Sequence, residues 1–237
     1  MLVKHRKSFS LGIALTVSYA VVWVIILSPI FGGKTGLQYS DDMFNKLAKG
    51  SSYFIPKIAE KAQAYNGSAF SLEAKLKKPE LAEQAILVAT RAGARAVDAG
   101  EGKLAVSGDL GAFLAKALAD SDAMYKNDGK AVADRYGMDE KEVMDAWWQV
   151  LAGMAKAYQK EKKVAELEIV NMVAKKAVEP GYNFYGIEAQ KVSDRAFGMT
   201  SLLVFYVLYT LWWGYAIFYL FDGIGLSMKK AKTKKEV

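Results

Sequence analysis

The sequence predicts an all-α fold in which two transmembrane helices flank an extracytoplasmic helical-bundle domain. Two stretches, Ser8 to Gly33 and Ala196 to Phe221, hold no charged residue over 26 residues each, and a helix needs only about 20 to cross the hydrocarbon core. Between them apolar residues recur at helical spacing, and no strand alternation is sustained over more than a few residues. The formal charge of +7 lies mostly outside this middle stretch. Lys4, Arg6 and Lys7 precede the first span, and Lys229, Lys230, Lys232, Lys234 and Lys235 follow the second against Asp222 and Glu236. Gly32 to Arg195 holds 24 Lys and Arg against 23 Asp and Glu, so it is close to neutral. That is the positive-inside pattern, with both termini cytoplasmic.

The parts in order are a basic N-terminus (1–8), a first span (9–33), an outer domain (34–195), a second span (196–221) and a basic tail (222–237). The first apolar run exceeds the roughly 7–15 residues of a signal-peptide core, and "LSPIFGGK" offers no small-x-small cleavage site. It reads as a retained anchor. In the outer domain Ser40 offers an N-cap to "DDMFNKLAK", and Gly50 a stop. Pro56 marks a helix start or a kink in "SSYFIPKIAEKAQAY". "YNGS" is turn chemistry, and "SLEAKLKK" is a short piece of unassigned state. Pro79 suits the first turn of "PELAEQAILVATRAGARAVDA", a helix that Gly100 terminates.

"GEGKLAVSG" then reads as a loop with room for a short extended piece, and Asp109 opens a helix with Leu110, Phe113, Leu114, Ala117 and Leu118 on one stripe. Asp139 and Glu142 form an Asp-x-x-Glu variant of the capping box. Val143, Trp147, Val150, Leu151, Met154 and Tyr158 follow at three- and four-residue intervals. The stripe breaks at "QKEKK" and resumes at Val164. Either one long helix leaves its core there or two helices meet; with no Gly or Pro in the break, one long helix up to Pro180 is the favoured expectation. "IEAQKVSDRAF" holds no breaker before Gly198, so the membrane helices are expected to continue into the outer domain.

Composition excludes several chemistries. There is no cysteine, and the single histidine is His5, on the cytoplasmic side. A Cys/His zinc site, an iron–sulfur cluster, a thiol nucleophile, a His-ligated haem and an outer serine–histidine triad are therefore impossible. "GEGK" (100–103) lacks the other P-loop positions, where Val97 and Leu104 stand. The acids around Asp139 fit a capped helix start better than a cation site. Asn66-Gly67-Ser68 matches a glycosylation sequon, for which a turn role suffices. No cofactor is expected.

Three groups of residues stand out as interaction candidates. In the first span Ser8, Gly12, Thr16 and Ala20 recur every four residues, a small-residue seam that lets a partner helix come close. In the second, Phe205, Tyr209, Trp212 and Tyr219 share one face beside Trp213, and rings at mid-membrane depth need partners. The two surfaces suit each other, within the chain or between chains. Tyr182, Phe184 and Tyr185 follow the Pro180-Gly181 break and suit an interfacial foot or a docking surface. Trp147, Trp148, Met154 and Tyr158 suit core packing or a ligand pocket.

The order of anchor, helical outer domain and anchor resembles the outer half of bacterial chemoreceptors and histidine kinases, in layout and without a shared motif. Only fifteen residues follow Asp222, where an output domain would begin. The expected function is a non-enzymatic structural or assembly subunit of a membrane complex or homo-oligomer. The alternative is an extracytoplasmic sensor that signals through a separate partner. The expected partners are membrane lipids and other copies or subunits, with no nucleic acid. The expected location is a bacterial inner membrane with a periplasmic domain.

Overall fold

A computed structural model describes residues 3–226 of the chain; the lysines of the basic tail from Lys229 onward lie outside the described residues. The chain divides into two compact units, Met1–Phe44 with Lys191–Val237, and Asn45–Gln190. The first is built on α1 (Arg6–Leu27) and α10 (Ala196–Gly223), which pack against each other along their length. Both are long and apolar enough to cross a membrane.

Neither helix continues as the sequence suggested. Ser28 precedes Pro29, whose ring disfavours helical backbone before it, and Ser28 is extended (φ −81°, ψ 146°). The helix therefore ends at Leu27, and a tight turn follows in which Phe31 and Lys34 pair across Gly32 and Gly33. At the other end a short 3₁₀ turn, Val192–Arg195, precedes α10. Helix α2 (Gly36–Ser51) starts one turn before Ser40. Its start is fixed by a reciprocal capping box: Thr35 N–H donates to Gln38 Oε1 at 2.9 Å, and Gln38 N–H donates to Thr35 Oγ1 at 3.2 Å. Ser40 lies inside the helix and donates to the Gly36 carbonyl.

The second unit is helical with a small sheet, which corrects the all-α expectation. Its elements are α3 (Ile55–Ala62), β1 (Ala69–Lys75), α4 (Ala82–Arg91), β2 (Arg95–Gly100), β3 (Lys103–Asp109) and α5 (Leu110–Tyr125). They are followed by α6 (Gly129–Tyr136), α7 (Glu140–Lys160), α8 (Val164–Val173) and α9 (Glu179–Asn183). The strands form an antiparallel sheet in the order β1-β3-β2. In β1 the inward side chains are Phe70, Leu72 and Ala74, alternating with exposed Ser71, Glu73 and Lys75, a half-buried strand pattern of period two. The helix expected to run to Gly100 stops at Arg91. Gly93 takes a left-handed conformation (φ 86°), and the chain turns into β2. "GEGK" closes the β2–β3 hairpin: Gly100 faces Lys103, and Glu101 and Gly102 both have positive φ, the signature of a two-residue type I′ turn.

Helix α7 is the spine of this unit, packing on β1, α4 and α8. Asp139 caps it by accepting from the Lys141 and Glu142 N–H groups, and its predicted stripe is buried from Val143 to Tyr158. The single long helix is not formed. Lys162 adopts φ 58°, and α8 turns back to pack against α7. The charged run "QKEKK" stays in solvent at this corner while Ile169, Val170 and Val173 rejoin the core. One wide turn, Ala174–Val178, links α8 to α9.

Candidate functional site

The α1–α10 pair gathers most of the sequence-predicted candidates. Where α1 starts and α10 ends, the two helices touch backbone to backbone. A Cβ on Gly12 would lie 2.7 Å from the Leu220 amide nitrogen, and one on Gly223 would lie 2.6 Å from Phe9 Cβ. Ala216 is fully buried beside them. Lys4 and His5 N–H both donate to the Gly223 carbonyl, at 2.8 and 3.0 Å. Asp222 takes a hydrogen bond from Ser8 and lies 3.4 Å from His5 Nδ1. Thr16 donates to the Gly12 carbonyl. Ser8 and Gly12 therefore serve contacts within the chain.

Ala20 is exposed. Each four-residue step overshoots a full helical turn by about 40°, so the seam drifts, and Tyr19 and Trp23 take over. Tyr19 packs on Trp213 (centroids 4.8 Å apart) and edge-on against Trp212 (6.1 Å). Trp23 meets Tyr209 edge-on at 6.5 Å. The Trp212 indole N–H is buried with no hydrogen-bond partner among the described residues. Phe205 packs on Tyr209, and Tyr219 packs on Tyr215 and Phe218.

Toward the end of α1 and the start of α10 the two helices leave a cavity of about 410 Å³. Its walls include Tyr19 and Trp23 of α1, Phe31, Tyr39 of α2, and Tyr206 and Tyr209 of α10. Sequence inspection found the α10 rings but missed Tyr19, Trp23 and Tyr39. The four-residue spacing of Tyr19 and Trp23, in a helix whose one other aromatic residue is Phe9, was the available signal.

The other two candidate groups lie in the second unit and are dispersed. Tyr182 is exposed, with Lys141 Nζ 5.8 Å from its ring centre. Phe184 turns inward, edge-on to Tyr125. Tyr185 hydrogen-bonds Glu140, which holds its phenol above the usual range. Trp147, Met154 and Tyr158 are core side chains with almost no exposure. Trp148 alone reaches the surface: its indole donates to Glu179 at 2.8 Å, Lys77 Nζ sits 4.3 Å from its ring centre, and a cavity of about 240 Å³ lies beside it.

Two buried ionisable groups escaped sequence reasoning. Asp120, fully buried, accepts from Trp147 Nε1 (2.8 Å), the Tyr136 hydroxyl (2.5 Å) and the Arg135 guanidinium. Burial, and then the bond to Asp120, push the Tyr136 phenol well above its usual range. Lys49 is 3% exposed, and its ammonium donates to Asn127 Oδ1 (2.8 Å) and to the Phe184 (3.0 Å) and Ile187 (2.6 Å) carbonyls. Burial lowers its pKa, and Glu188 partly offsets the shift. Both groups spend their hydrogen-bonding capacity inside the fold. Among the described residues no three His, Cys, Asp or Glu side chains converge as a metal site would require. The chain matches no protein-family model, no curated protein and no solved structure, so its own residues carry the functional reading.

Proposed function

We propose that this chain is a non-enzymatic membrane subunit that organises a larger assembly by docking a second spanning helix, from another copy or another subunit, along α10. One observation carries the reading. Val204, Leu208, Leu211, Tyr215 and Phe218 repeat at alternating four- and three-residue steps and are all 42% exposed or more. That spacing is the seam of a left-handed helix pair crossing at about 20°. Tyr215 sits in the middle of the seam's inner half, and its hydroxyl makes no hydrogen bond among the described residues. Lipid tails offer a phenol no acceptor, whereas a neighbouring helix does.

Supporting this, the two buried charged groups described in the second unit, Asp120 and Lys49, are committed to structural bonds, and the sequence lacks thiols and an outer histidine. The charge pattern supports cytoplasmic termini and a periplasmic second unit in a bacterial inner membrane. The test is the mass of the full-length protein, extracted gently from its own membrane. A defined particle heavier than one chain is expected, reduced to single chains by Leu211→Ala with Tyr215→Ala. An unchanged mass in that double variant rules out the α10 seam. Gly12→Leu is the contrasting control, because it acts within the chain.

A further inference from the structure

We propose that the cavity between α1, α2 and α10 binds the ring of a membrane quinone: a flat, uncharged ring with carbonyl acceptors, carried on an isoprenoid tail. The inference needs the hairpin to sit in a bilayer but does not depend on the assembly role. The α10 wall runs from Leu202 to Trp212, about 15 Å at the helical rise of 1.5 Å per residue. Any occupant at that depth comes from the lipid phase.

The chemistry of the wall narrows the choice. None of its side chains is charged, so nothing there holds a phosphate headgroup. Eight of its fourteen residues are aromatic, which favours a planar occupant that stacks over a flexible saturated chain. The lining residues that carry a polar ring group include Tyr19, Tyr39, Tyr206 and Tyr209, each with a phenol, and Trp23, with an indole N–H. These groups donate hydrogen bonds that hydrocarbon cannot accept and a ring carbonyl can. At about 410 Å³ the space falls within the range of small-molecule pockets, about 300–1,000 Å³. The tail would leave through the open side of the hairpin into the bilayer.

The experiment uses full-length protein in phosphatidylcholine vesicles, titrated with decyl-ubiquinone while tryptophan emission is followed. Saturable quenching is expected, since Trp23 and Trp212 line the cavity. Tyr19→Phe and Tyr209→Phe keep the wall's shape but remove donors, and each should weaken binding about fivefold. Leu202→Phe with Ile26→Phe fills the space and should abolish saturation. Quenching that rises linearly and identically in all variants is partition into lipid alone and overturns the proposal. So does organic extraction of the purified protein that yields phospholipid in fixed proportion but no quinone, which would make the cavity an acyl-chain groove. Unchanged circular dichroism and melting temperature certify each variant. Because particle mass is measured separately, quinone binding and assembly can fail independently.

Discussion

At the scale of single residues, buried polar atoms distinguish this protein more than its apolar core does. Asp120 is the clearest case. Asp120→Ala leaves the Arg135, Tyr136 and Trp147 donors facing an empty space, and removing one member of a buried pair costs about 3 kcal/mol. Urea unfolding of the detergent-solubilised protein, followed by near-ultraviolet circular dichroism, should register that loss. Arg135→Ala should cost less, because its side chain is 45% exposed and the pair is partly screened by water. Tyr158 behaves oppositely. Its hydroxyl is buried with no partner among the described residues, and burial pushes its pKa up to about 12. The unfolded chain releases that proton near the usual value of about 10, so the Tyr158 contribution to stability is complete below pH 10 and declines through pH 12. Tyr158→Phe should flatten that alkaline limb in melts at pH 8 and pH 11 and raise stability at neutral pH by up to about 1 kcal/mol. None of this was legible beforehand. A sequence shows that Asp120 falls in a helix, but not that three donors from α6 and α7 converge on it.

At the scale of elements, helix identity was readable and helix ends were less so. The stripe on α7 and the caps at Asp109 and Asp139 were plain, because each rests on local spacing and a single side chain. The ends that went astray depend on one backbone torsion, as at Lys162 and Gly93, or on a proline's effect on its predecessor, as at Ser28. The strands were hidden for a different reason. β1 alternates over only seven residues, and β2 is mostly exposed, so neither offers a long enough period to outweigh neighbouring helical stretches. The alternation of Phe70, Leu72 and Ala74 in β1 was nonetheless a true signal. Two predictions belong here. Thr35→Ala removes one half of the α2 capping box and should cost about 1 kcal/mol in thermal unfolding. Gly12→Leu inserts a side chain where a single Cβ already meets the Leu220 backbone. It should drive α1 from α10, seen as a loss of the aromatic circular dichroism of the Tyr19, Trp212 and Trp213 cluster.

At the scale of the whole molecule, two long apolar helices on either side of a folded module were legible, since hydropathy is additive along a chain. The candidate site was half legible: the α10 rings stood out, whereas the cavity depends on α1 ending at Leu27 so that Phe31 and Tyr39 return to form a wall. The folded module has one further property. Gln190 N–H donates to the Lys46 carbonyl at 3.0 Å, and Gly50 lies so close to Gln190 that a Cβ would meet its carbonyl oxygen. Lys49 grips the Phe184 and Ile187 carbonyls in the same place. Lys49→Met should therefore raise amide hydrogen exchange across 184–190 and leave α7 protected. The first and last residues of the module are thus knotted together. A pull applied through α1 and α10 would load this knot first, and the sheet and α7 beyond it would carry no tension until it gave way.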